Sequence, residues 1–376
     1  MFLLAAALAC GSAPSFATTP PKQPDKGPGG AEYPISSADV AKEAYGTGAQ
    51  QVFVFRPTKG FEGPRPVVVF GHAINAFNPK IYGGWIDHLV RRGAIVIFPR
   101  YQLDSRTPRN ELIGHAAAGV RLAVTKLGDA ADAEKVAYVG HGAGGNIVVN
   151  LAANPDMPKP RLVFAVMPGN SWGNRWQAIK LDELGKLPAD IVLITLTGET
   201  DTVAKDADAR KIIRASASVP AARKMLLRLP TDSHGTPSMF ATHYTPMGRH
   251  DAYDMPNIPV VDEALPPVQL DARGRPRPQP RPPVVPAPQP EEFGGAPVDS
   301  ADWFGLWKPL DIAMPIAFTG EDTTPIKRHP MLTTMGLWSD GWPVKRLSYE
   351  SAREPQTPPT ADAQPATPPQ AIRPRR

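Results

Sequence analysis

The sequence predicts an α/β protein with a mostly parallel central sheet and helices on both faces. Three observations carry that reading. Short continuous apolar runs recur along the chain, as strands buried on both faces require. Amphipathic stretches with helical spacing stand between them. Glycine and proline punctuate the junctions.

Taken in order, "QVFVFRP" (51–57) and "RPVVVFGHA" (65–73) read as strands. In "YGGWIDHLVRRG" (82–93), Trp85, Ile86, Leu89 and Val90 share one helix face, and Gly93 closes the helix. "AIVIFPRY" (94–101) is a buried strand, and "ELIGHAAAGVRLAVTKLG" (111–128) is a helix stopped by glycine. "KVAYVG" (135–140) is a strand that turns through glycines into a helix ending near Asn154. "RLVFAVMP" (161–168) and "DIVLITLTG" (190–198) are strands, "AKDADARKIIRASASV" (204–219) a helix, and "KMLLRLP" (224–230) the last strand of the series. "DWFGLWKPLDIAMPIAF" (302–318) has helical spacing, but Pro309 and Pro315 should divide it into short pieces. "MGLWSDGWPVKRLSYE" (335–350) reads as a terminal strand or clasp.

Composition sets the boundaries. The 376 residues include 46 prolines, concentrated in three places. Segment 1–17 has an apolar core too short to span a bilayer, and it fits a signal peptide. "ALAC" also resembles a lipobox ending at Cys10, so a lipid anchor is the alternative. Either way the chain is expected to be exported, to a periplasmic or extracellular site. Residues 18–32 read as a flexible leader and 33–263 as the main domain. Residues 264–297 form a proline-rich inserted arm, read as a spacer, with docking to a protein partner as the other reading. Residues 298–350 return to the same domain, and 351–376 read as a disordered proline-rich tail. Cys10 is the only cysteine, so the mature chain is expected to have no disulfide, cysteine nucleophile or cysteine-based zinc site. The net charge of +5 is modest and much of the arginine lies in proline-rich segments, so no nucleic-acid face is expected. "HYTPMGRHDAYD" (243–254) holds two histidines and two aspartates, but their spacing matches no metal motif, and neither metal nor cofactor is expected.

The informative stretch is "VAYVGHGAGGNIVVNLA" (136–152), with Gly140-His141-Gly142-Ala143-Gly144 at its centre. Gly140, Gly142 and Gly145 also satisfy a dinucleotide-loop pattern. No acidic residue ends the next strand at the required spacing, and the unit comes in mid-sheet, which argues against nucleotide binding. The frame instead resembles the G-x-S-x-G elbow of the α/β-hydrolase family, with Gly142 in place of the serine. The resemblance covers roughly Gln51 to Pro246. It implies an α/β-hydrolase fold of the serine esterase or lipase type and assigns further positions. "VVVFGHAINAFNP" (67–79) matches the oxyanion loop, with a backbone N–H from Ala73 or Ile74; Ala143 would supply the second. "LTGETDTVA" (196–204) places Asp201 as the triad acid, with Glu199 second and a helix cap as the plain reading. "LPTDSHGTP" (229–237) places His234 as the base. The resemblance thus implies a relative of carboxylic ester hydrolases with a vacant nucleophile position, binding a small apolar or ester-like molecule. An active hydrolase using another nucleophile (Ser171, Ser233 or Ser238) or an activated water is the alternative; a scaffold acting through its proline arms is a third. Trp85, Trp172, Trp176 and Phe240 are candidates either for an apolar cleft or for ordinary packing.

Overall fold

A computed structural model of the chain describes residues 17–32, 39–173, 177–261 and 297–351. The expected signal segment with Cys10, the proline-rich arm and the tail lie outside the described residues, except for the bordering Ala17, Pro297 and Ser351.

The strands are β1 (Val40–Tyr45), β2 (Val52–Pro57), β3 (Arg65–Gly71), β4 (Ile95–Pro99), β5 (Ala131–His141), β6 (Leu162–Val166), β7 (Val192–Gly198), β8 (Lys224–Leu229) and β9 (Ser348–Ser351). They form a nine-stranded sheet in the order β1-β2-β4-β3-β5-β6-β7-β8-β9. The run from β4 to β8 is parallel throughout. β1, β2 and β9 are antiparallel to their neighbours. The strands of the parallel run are apolar because helices cover both faces. One face packs α2 (Leu112–Leu127), α3 (Ala143–Ala153) and α4 (Ala207–Ala215) over Val69, Ile97, Tyr138 and Val163. The other packs α1 (Gly83–Arg91) and α5 (Lys308–Thr319) over Phe70, Phe98, Phe164 and Ile194. Trp85 of α1 meets Phe70 edge-on at 5.3 Å between centroids, so it is a core residue rather than part of a cleft.

Three elements depart from expectation. β1 reads "VAKEAY" and has no apolar run, because it is an edge strand; Glu43 pairs with Arg56 across the β1–β2 ladder. The helix over 302–319 is not divided by its prolines. Residues Asp302–Trp307 take a π-helical turn that leads into α5, with Pro309 at the helix start and Pro315 inside. The wider turn accommodates the missing N–H of Pro309. Leu310, Ile312, Ala313 and Ala317 are buried around Pro315, and that packing offsets the cost of a proline in mid-helix.

The leader is also not loose. Its backbone is tied to the far end of the chain: Thr18 O accepts from the Thr236 N–H at 2.7 Å, and the Gly29 N–H donates to Asp311 Oδ2 at 2.7 Å. Asp311 is itself buried against His88 Nε2 at 2.9 Å. Proline and glycine content suggested freedom, whereas these hydrogen bonds fix a segment without regular structure. Among the described residues, no helix is long and apolar enough to cross a membrane.

Candidate active site

The site forms where loops leave the carboxyl ends of the parallel strands, the usual location in such sheets. β5 ends at His141, and α3 begins at Ala143. A Cβ on Gly140 would strike the Gly144 carbonyl, and one on Gly144 would strike Gly71. These glycines let α3 lie directly on β3 and β5. Between them Gly142 holds φ 57° and ψ −122°, a conformation that glycine takes without steric cost. Backbone strain gathers around it. Among the described residues, the non-glycine ones with positive φ are Asn75, Tyr101, Met167, Asn170 and Lys205. They follow the carboxyl ends of β3, β4, β6 and β7, where strained backbone often serves function.

Asp201 sits on the loop after β7, as expected. Its Oδ1 accepts from the N–H groups of Val203 and Ala204 at 2.8 and 2.9 Å. Its Oδ2 meets a histidine Nδ1 at 3.0 Å, and that histidine is His243. The His243 ring is nearly buried, and its Nε2 lies 3.1 Å from the point where a Cβ on Gly142 would stand. Burial works against ionisation of Asp201, but the hydrogen bonds from His243 and the two N–H groups prevail and hold its carboxyl below the usual range. His234 takes a different position. Its Nε2 pairs with Asp340 at 2.7 Å, and its ring stacks on Trp342 at 5.7 Å. The structure therefore brings Gly142, Asp201 and His243 together and leaves His234 on the terminal clasp. Both histidines follow β8 in one long irregular stretch, and the one nearer the strand is not the one that meets Asp201. Glu199 accepts from the Thr231 N–H at 2.7 Å and braces the same loop.

The expected oxyanion donors divide. The Ala73 N–H is already engaged, donating to Tyr82 Oη at 2.9 Å. Ile74 and Ala143 have backbone N–H groups with no hydrogen bond among the described residues. Tyr82 Oη also meets His141 Nδ1 at 2.9 Å. With the Nε2 tautomer of His141, Tyr82 accepts from Ala73 and donates its hydrogen to His141 Nδ1. Burial first, and the neighbouring His243 second, push the His141 pKa well below the ordinary value. A neutral His141 thus lies under His243, with ring centroids 4.7 Å apart. Sequence reading treated His141 as a variable position in the elbow and passed over Tyr82.

The other candidates take separate positions, with Ser238 partly buried on the loop between His234 and Met239. Ser171 donates its hydroxyl to Asp208 and is turned away from catalysis. Ser233 is exposed on the His234 loop. In the 243–254 stretch, Asp254 binds Lys80 at 2.8 Å and Asp251 binds Arg249 at 2.7 Å, so its carboxylates serve separate ion pairs. Trp172 and Phe240 are exposed, at 71% and 57%, on the loops after β6 and β8. Trp176 lies outside the described residues. No protein-family model matches the chain, and no curated protein matches it in sequence.

Proposed function

We propose that this chain is an α/β-hydrolase-type protein, related in design to carboxylic ester hydrolases, in which the nucleophile position is vacant. One observation carries the reading: the His243–Asp201 pair is aimed at Gly142, a strand-to-helix tip with no side chain. In a complete triad, the histidine takes a proton from the tip hydroxyl while the aspartate fixes its tautomer. Here His243 Nε2 has no hydroxyl to act on. Removing a triad serine typically lowers the rate by several orders of magnitude. The site is therefore read as one that binds a small ester-like or apolar molecule with little turnover. The free N–H groups of Ile74 and Ala143 would receive its carbonyl oxygen. The apolar first segment supports export of the chain.

The test is ester turnover by the purified protein. Short activated esters should be hydrolysed at a rate near the background, and Gly142→Ser should raise it. Efficient turnover by the unaltered chain that needs His243 would favour the second reading, in which His243 activates a water held at the Gly142 gap.

A further inference from the structure

The loops after β4 and β6 border an open cavity of about 470 Å³, within the usual range for small-molecule sites. Its walls include Arg106, Thr107, Arg109, Asn170, Trp172 and Gln177. β3 and β5 lie between β4 and β6 in the sheet, so the cavity stands at the same end of the sheet as the Ala73–Asn75 loop and Gly142. The connection to the elbow is direct: Gly169, next to Asn170, donates its N–H to the Gly142 carbonyl at 3.1 Å.

The charge in this cavity is unbalanced. Arg109 is only partly exposed, and among the described residues no acceptor holds its guanidinium. The nearby acids are committed elsewhere. Asp104 pairs with Arg106 at 2.8 Å, and Glu111 faces His115 at 4.0 Å. A partly desolvated guanidinium without a counter-charge favours an incoming anion, and its planar fork fits a carboxylate. The exposed Trp172 indole offers an apolar wall in the same cavity.

We propose that this cavity binds a small organic carboxylate, its anionic group on Arg109 and its apolar body against Trp172 and Pro108. The inference rests on the hydrolase-type reading in taking the cavity as the approach to Gly142. It makes the natural ligand an acid, or an ester that carries a free carboxylate. The test uses the full chain with benzoate and, as its uncharged counterpart, benzyl alcohol, followed by tryptophan fluorescence and calorimetry at low salt. Benzoate should bind about ten-fold more tightly than benzyl alcohol, the scale of one charge-assisted contact. Arg109→Gln should abolish that preference, and Arg109→Lys should keep part of it. Lys135→Gln, at an exposed cation outside the cavity, should leave it unchanged. Equal affinity for the two probes, no binding of either, or a preference that survives Arg109→Gln would overturn the proposal. Gly142 plays no part in these measurements. If Gly142→Ser gains ester turnover while benzoate shows no preference, only the carboxylate site falls. If the preference stands while Gly142→Ser remains inactive, it is the hydrolase reading that falls.

Discussion

His243 Nε2 lies 3.1 Å from the position of an absent Cβ on Gly142. The same Cβ would come within 3.1 Å of Ala73 Cβ. A side chain at the tip is thus admitted only if its neighbours shift by a few tenths of an ångström. It must also accept a φ of 57°. Gly142→Ala should therefore destabilise the fold by about 1–3 kcal/mol, with the backbone term dominant. Urea unfolding of the two proteins measures this. An unchanged midpoint would mean that the tip relaxes to an ordinary conformation.

Asp201 links the site to acid stability. Its folded pKa lies below the ordinary value, so its contribution is present above the unfolded carboxylate range. That contribution is lost as pH falls through the folded pKa. Asp201→Asn should therefore weaken the protein most at neutral pH, and the two stability curves should converge in acid. Denaturant titrations across that range test it; parallel curves would separate Asp201 from the acid transition.

Two buried histidines act in the same direction, beginning at higher pH. Burial pushes His72 down to about 4 from 6.5, and it holds His141 well below the same value. As pH drops below 6.5 the unfolded chain takes up protons that the folded chain refuses, so stability falls toward pH 4. His72 alone accounts for a loss on the order of 3 kcal/mol over that window. His72→Gln should flatten the slope there, whatever it does to stability at neutral pH. A slope that persists unchanged would assign the dependence to other groups.

One buried carboxylate contributes to the anchoring of residues 17–32. Asp311 receives the Gly29 N–H at 2.7 Å and His88 Nε2 at 2.9 Å, and Arg92 Nε lies 3.4 Å away. Removing it leaves several buried polar groups without their acceptor. Asp311→Ala should cost roughly 3–5 kcal/mol and expose residues 17–32 to limited proteolysis. Retained protection would show that the segment is held by its other contacts.

The succession of the parallel strands along the chain was legible because each is a short apolar run with a glycine or proline at its border; their order in the sheet was not. The glycine elbow was legible because Gly140, Gly142 and Gly144 stand at a spacing that close packing of α3 requires. Asp201 was legible because it follows β7 by three residues. His243 was not: it lies fourteen positions beyond the end of β8 at Leu229, and no local pattern distinguishes it from His234. β1 was hidden by Lys42 and Glu43, which an edge strand tolerates. The anchoring of the leader was hidden because it consists of backbone hydrogen bonds to residues such as Asp311, which leave no periodic trace in the sequence.

We propose Gly142 as an empty nucleophile position served by His243 and Asp201. It is tested most directly by the ester-hydrolysis rate of Gly142→Ser, alone and combined with His243→Ala or His234→Ala. Gly142→Ser should raise the rate over the unaltered chain, by up to several orders of magnitude if the Ile74 and Ala143 donors are in place. Adding His243→Ala should remove the gain, because an unassisted serine is a poor nucleophile at neutral pH. Adding His234→Ala should preserve it, since that ring is paired with Asp340. A gain that depends on His234 and not on His243, or strong hydrolysis by the unaltered chain that survives His243→Ala, would contradict the account.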